Sequence, residues 1–139
     1  MSVVVPDSGV LIEMFRHADM LVEKDRHRWR FYISAVVHSE LARGATTPTE
    51  KRFIANLVRA FPPVAPTAAE WAEGGEVLSR LRRERNFDGR GMQFLQNDVL
   101  IALTAHGIGV PLVTTNLSDF GLIAKYVRGL KVIGFGANA

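Results

Sequence analysis

Short β-branched runs alternate with longer amphipathic stretches along this chain. The runs predict strands at residues 2–5, 31–34, 111–114 and 130–135, with a weaker one at 63–65. Helical patterns separate successive strands, which favours right-handed crossovers and a mainly parallel sheet. We find no internal repeat or linker, so residues 1–139 are interpreted as a single α/β domain.

Two helix starts carry the same capping signal. Thr-x-x-Glu occurs at residues 47–50, where Pro48 takes the first helical position, and again at residues 67–70. These boxes predict helices over residues 50–60 and 68–85. In the second helix an apolar stripe is expected, and arginines crowd the carboxyl-terminal end, where the helix dipole favours them. The stripe comprises Trp71, Val77, Leu78 and Leu81, and the arginines are Arg80, Arg82, Arg83 and Arg85.

The composition narrows the classes of function. The chain has 139 residues, 47% of them hydrophobic, and no cysteine. Disulfide scaffolds, cysteine-based zinc sites and thiol nucleophiles are therefore excluded. The apolar stretches are too short to cross a membrane, and the first residues lack the features of a signal peptide. These features predict a soluble cytoplasmic protein, while a net charge of +3 leaves nucleic-acid binding open.

Two aspartates follow predicted strands. Asp7 comes directly after the first strand, and Asp119 comes five residues after the strand predicted at residues 111–114. Open parallel sheets bind ligands at the carboxyl ends of their strands, so both positions suit a site. Both also suit helix capping, with Asp7 as an N-cap and Asp119 in the first turn of a helix that Asn116 caps.

Two further acidic residues lie on predicted helices. Glu40 follows the second strand in a helix that Ser34 is expected to cap, and it borders an inward-facing apolar surface. Asp98 is predicted to open a helix over residues 98–105, at the head of a buried stripe. A carboxylate there is unfavourable unless it is paired or binds a cation.

All four carboxylates converge on one edge of the sheet if the strands at residues 2–5, 31–34 and 111–114 are parallel neighbours. Their mutual repulsion must then raise some pKa values or be neutralised by a cation. Oxygen ligands without histidine or cysteine select Mg²⁺ or Mn²⁺, and such sites commonly serve phosphate chemistry.

The sequence resembles the PIN domain family, and within it the VapC-type toxins of toxin-antitoxin pairs. The resemblance spans nearly the whole chain and rests on four blocks in family order and spacing. These are Asp7-Ser8, Ile33-Ser34 leading to Glu40-Leu41, Asp98-x-x-Ile101-Ala102, and Leu112-Val113-Thr114-x-Asn116-x-x-Asp119-Phe120. Residues 45–91 carry no diagnostic signature.

This resemblance implies a three-layer α/β/α sandwich and a Mg²⁺- or Mn²⁺-dependent endoribonuclease that acts as a toxin. It further implies a small VapB-like antitoxin as partner, RNA as substrate, and a homodimer. By the family's motifs, Asp7, Glu40, Asp98 and Asp119 would be the catalytic, metal-binding residues, and Ser8, Thr114 and Asn116 would orient them. The four acidic positions do not depart from the family pattern.

The sequence disfavours three other classes of enzyme. A phospho-acceptor domain needs adjacent acids after the first strand, and a haloacid-dehalogenase-like phosphatase needs a second aspartate where this chain has Gly9. His38-x-Glu40 resembles part of the deaminase motif, which also requires a cysteine pair. The alternative from another class is a PIN-like module that binds RNA or protein without cutting. Such a module could bind RNA through the arginines of residues 80–90 and a second basic group near residues 26–30. Exposed, solvated helix surfaces explain such runs of charge as well.

Overall fold

The computed structural model describes residues 2–17, 29–85 and 89–136. The strands are β1 (Ser2–Pro6), β2 (Trp29–Phe31), β3 (Leu112–Thr114) and β4 (Val132–Gly134). The helices are α1 (Ser8–Arg16), α2 (Ala35–Gly44), α3 (Pro48–Ala60), α4 (Ala68–Arg85), α5 (Gly89–Ile108) and α6 (Leu117–Ala124). No helix within these ranges has the length and apolar character needed to cross a bilayer.

The four strands form one sheet in the order β2-β1-β3-β4, and every pairing is parallel. Val4 pairs with Phe31 of β2, and Val5 pairs with Leu112 of β3. The predicted α/β class and mainly parallel sheet are thereby confirmed. Since β1 lies between β2 and β3, the segments that follow these three strands emerge side by side.

Both faces of the sheet are covered. Val5 packs in the larger hydrophobic cluster with Leu112, whereas Val4 packs in a second cluster with Val10 and Val113. Successive residues of a strand point to opposite faces, so the burial of both valines, each 0% exposed, means apolar layers on both sides. This is the expected three-layer α/β/α arrangement.

The helix starts follow the sequence signals. The Thr47 hydroxyl accepts from the Glu50 amide at 3.1 Å, and the Glu50 carboxylate accepts from the Thr47 amide at 2.9 Å. Thr67 and Glu70 form the same reciprocal pair at the start of α4. Ser34 caps α2 as predicted, with its hydroxyl accepting from the Val36 amide.

Four sequence-based expectations were wrong. The second strand covers Trp29–Phe31 and not residues 31–34. Residues 63–65 form an isolated parallel bridge between Val64 and Ser34 instead of a strand, because the neighbouring prolines lack amide donors for a ladder. Trp71 is 51% exposed, since Glu70 rather than Trp71 faces Gly107 of α5. Asp98 does not open a helix: α5 begins nine residues earlier, at Gly89, and Leu95 in these earlier turns is buried in the core.

Candidate metal-binding active site at the carboxyl edge of the sheet

Asp7 lies where β1 meets α1 and is only 6% exposed. Its Oδ1 accepts from the Val10 amide at 2.9 Å, and its Oδ2 accepts from the Thr114 hydroxyl. Burial raises the pKa of this carboxyl group, although the hydrogen bonds oppose the shift. Asp7 is therefore the N-cap of α1, as the capping interpretation predicted. It also lies at the carboxyl edge of the sheet, as a ligand site would require.

Glu40 reaches the same edge from α2. Its Oε1 accepts from the Ser8 hydroxyl at 2.5 Å, and its Oε2 accepts from the Asn97 side-chain amide at 3.3 Å. These two bonds connect α2 with α1 and α5. The half-buried carboxylate is consequently held in place by residues 32 and 57 positions away in the sequence.

Asp98 is the tenth of the twenty residues of α5, so the helix dipole provides no first-turn stabilisation. Burial raises the pKa of Asp98 to about 7, and the negative charges of Glu40, Asp119 and Asp7 add to the shift. The carboxyl group is thus close enough to all three of the other acids to be influenced by them. The four predicted acids therefore lie near one another at this edge of the sheet, and we call them the acidic cluster.

Asp119 lies in the first turn of α6. Its amide donates to the Asn116 side-chain oxygen at 3.2 Å, and its carboxylate accepts from the Asn116 side-chain amide at 2.9 Å. The predicted capping by Asn116 is confirmed. Asp119 is only half-buried, and its charge acts on Asp98 across the edge of the sheet.

The three expected orienting residues each contact a different acid. Ser8 donates to Glu40, Asn116 donates to Asp119, and the buried Thr114 hydroxyl donates to Asp7. Thr114 also accepts from the Asn116 amide at 2.7 Å, so this hydroxyl links two of the orienting residues.

Sequence reasoning missed two contributors to this edge. Asn97 contacts Glu40, and its position directly before Asp98 was the available signal. Gly9 is the other, because a Cβ at this position would collide with the Thr115 hydroxyl. A side chain at position 9 would therefore require Thr115 to change its rotamer or shift.

The donor chemistry of this edge fits a hard divalent cation, because four carboxylates supply oxygen ligands and a cation would relieve the repulsion that raises the pKa of Asp98. As the side chains stand, however, the described residues contain no group of three or more acids or histidines placed to hold one ion. Asp7 and Glu40 instead direct their oxygens at hydroxyl and amide donors. Metal binding would require some carboxylates to exchange these hydrogen bonds for coordination.

The sequence model of the PIN domain matches residues 4–126, from the buried part of β1 to just beyond α6. The chain belongs to the PIN domain family. All four clustered acids of this PIN domain lie inside the matched range, and proteins of the family generally use a divalent metal ion. No curated protein matches the sequence significantly.

Solved structures of similar fold include chains from toxin-antitoxin complexes. One, from VapBC-1 of nontypeable Haemophilus influenzae, is 19% identical with a TM-score of 0.70, and the alignment covers 95% of this chain and 97% of that one. Another, from DNA-bound VapBC of Salmonella typhimurium, is 20% identical with a TM-score of 0.67, covering 96% and 98%. A third, from VapBC-5 of Mycobacterium tuberculosis, is 20% identical with a TM-score of 0.57, covering 97% and 100%. At these identities the similarity establishes the fold of this PIN domain over nearly its whole length.

Proposed function

We propose that this PIN domain is a Mg²⁺- or Mn²⁺-dependent endoribonuclease and the toxin of a toxin-antitoxin pair. The observation that carries the proposal is that Asp98 is largely buried beside the negative charges of Glu40, Asp119 and Asp7, so that burial first and these charges second raise its pKa to about 7. A cluster of like charges is unfavourable in the cation-free chain and becomes favourable when a cation binds.

The residues at this edge would bind the metal ion or hold its ligands in place. Asp7, Glu40, Asp98 and Asp119 would hold the ion, and a bound divalent ion acidifies water and stabilises charge on the leaving oxygen of a phosphodiester. Thr114 holds Asp7, and Ser8 together with Asn97 holds Glu40, at this edge in the cation-free chain, and some of these hydrogen bonds would be exchanged for coordination when the ion binds. The proton that Asp98 retains near neutral pH would be released as the ion binds. No side-chain nucleophile is required.

The direct test is cleavage of a labelled RNA by the purified protein with Mg²⁺ or Mn²⁺, and with excess chelator. We expect fragments only when metal is added. Undiminished cleavage in chelator would contradict the proposal. Tight RNA binding without cleavage at any metal concentration would favour the alternative, a non-catalytic module that binds RNA or protein.

An apolar cavity adjoins the candidate site and could bind a partner. A cavity of about 180 Å³ lies between α1, α2 and α3, and Glu40 forms part of its wall. Its apolar wall includes Ile12, Phe15 and Phe53, and the two phenylalanine ring centroids are 4.9 Å apart. The similar chains were solved as VapBC complexes, so we propose that a VapB-like antitoxin fills this cavity. An arginine or lysine of that partner beside Glu40 would replace the charge of the metal.

Co-expression with the product of the neighbouring reading frame should therefore give a stable, inactive complex. Separate migration of the two proteins at micromolar concentration would contradict the partner assignment. A homodimer and a cytoplasmic location are also expected from the VapC-type assignment, and sedimentation of the isolated chain measures the first of these.

A further inference from the structure

The positive charge of the protein is concentrated in one segment. Residues 79–97 contain five arginines against two acidic residues, so their excess equals the whole net charge of +3. The other 120 residues hold twelve basic and twelve acidic residues. The segment comprises the end of α4 and the first half of α5.

This segment lies at the level of the acidic cluster. Gly74 of α4 faces Val99, Leu100 and Leu103 of α5, and Glu70 faces Gly107, so the two helices are antiparallel. Arg80 is six residues beyond Gly74, which corresponds to about 9 Å along the helix axis. The same displacement along α5 leads from Val99, Leu100 and Leu103 back to residues 93–97, the turn that ends at Asn97. The arginine-bearing end of α4 therefore runs beside the part of α5 that contributes to the site.

Three arginines at this end are available to a ligand. Arg80, Arg82 and Arg83 are exposed, while the intervening Leu81 is fully buried and anchors the helix. None of the three forms an ion pair with a described carboxylate, and Arg83 donates only to the Ser79 hydroxyl, at 3.4 Å. Their guanidinium groups are free to make the paired hydrogen bonds that phosphate oxygens accept.

We infer that the arginine surface formed by Arg80, Arg82 and Arg83 binds the phosphate backbone of the RNA strand that enters the site. The inference rests on the proposed nuclease function for the identity of the ligand. Its physical reason is that the carboxylates at the edge of the sheet repel a polyanion, so a neighbouring cationic surface must supply the attraction. The helix dipole favours arginines at this end, but it does not require three that lack a described carboxylate partner at the level of Asn97.

The test compares two triple variants that remove the same charge. Arg80→Gln/Arg82→Gln/Arg83→Gln neutralises the arginine surface. Lys125→Gln/Arg128→Gln/Lys131→Gln neutralises three exposed residues between α6 and β4, at the opposite, amino edge of the sheet. Circular dichroism checks that both variants fold, which we expect because all six side chains are exposed.

RNA affinity is measured by fluorescence anisotropy of a labelled single-stranded RNA in excess chelator, and KM and kcat are measured with metal. We expect the arginine variant to raise Kd and KM about tenfold or more, with kcat within about twofold. The slope of log K against log salt should fall by about 2, because each lost phosphate contact removes about 0.7 for a single strand. The lysine-containing control should change Kd by less than about threefold.

The outcomes separate this inference from the nuclease assignment. Equal effects of the two variants on Kd and KM would overturn the arginine surface while leaving metal-dependent cleavage intact. Arginine-dependent RNA binding by a parent protein that never cleaves would uphold the surface and contradict the nuclease. A parent that neither binds nor cleaves RNA would overturn both.

Discussion

Glu50 and Asp98 are both acidic residues on helices, and their surroundings shift their pKa values in opposite directions. The hydroxyl and amide of Thr47 donate to Glu50 and lower the pKa of that carboxyl group. Burial and three neighbouring acids raise the pKa of Asp98 to about 7. The partners of Glu50 lie within four residues of it, whereas the acids around Asp98 come from distant segments.

This difference separates an acid with a structural role from one that we propose as a metal ligand. The charge of Glu50 stabilises the start of α3 in the folded chain. The charge of Asp98 is unfavourable in the cation-free protein, because the group is largely buried and lies near three other acids, and this arrangement is expected of a group that binds a cation. Loss of charge should therefore change the stability of the cation-free protein in opposite directions at the two positions.

The largest expected effect is on RNA turnover. Asp98→Asn and Asp7→Asn should each reduce metal-dependent cleavage about a hundredfold or more, equivalent to roughly 3 kcal/mol of transition-state stabilisation, because each removes a charged ligand. Asparagine caps a helix about as well as aspartate, so Asp7→Asn should still fold. Glu50→Gln is the matched control and should retain the turnover of the parent. Parent-like cleavage by both aspartate variants would remove the chemical basis of the nuclease assignment.

The next effect concerns stability and pH. A carboxyl group with a pKa near 7 when folded and near 3.8 when unfolded retains its proton in the folded state between these values. The unfolded state therefore binds fewer protons, and the stability of the cation-free protein should fall as pH rises from about 4 to about 7.

Asp98→Asn tests that sign, because asparagine cannot ionise. The difference in unfolding free energy between the variant and the parent should grow in favour of the variant from pH 4 to pH 8, by on the order of 3 kcal/mol. Chemical denaturation in chelator at both pH values measures the gain. A constant difference between the two proteins at all pH values would contradict the raised pKa.

The smallest effect is expected at the capping boxes. Thr47→Ala and Thr67→Ala each remove the hydroxyl that accepts from a glutamate amide, which should cost about 1 kcal/mol and lower Tm by roughly 3 °C. RNA turnover should stay at the parent value because neither box contacts the acidic cluster. Thermal unfolding and a cleavage assay check both statements, and a large loss of turnover would show that the boxes also position the site.

Much of the local structure was accessible from the sequence. The capping boxes, the Ser34 and Asn116 caps, and the placement of Asp7 at a strand end all depend on contacts within about four residues, which a linear pattern encodes. The parallel sheet followed from the alternation of strands and helices. The acidic positions could be named, but their roles as metal ligands stay predictions.

Only the tertiary structure decided what surrounds those acids. The hydrogen bonds from Ser8 and Asn97 to Glu40, and from Thr114 to Asp7, join residues 32, 57 and 107 positions apart, and no periodicity links them. The start of α5 at Gly89 was missed because the segment has two glycines, which oppose a helix on their own, whereas in the folded chain the segment is helical and buries Leu95 in the core. The pKa of Asp98 near 7 has the same origin, since desolvation and like charges arise only when separate segments are brought together.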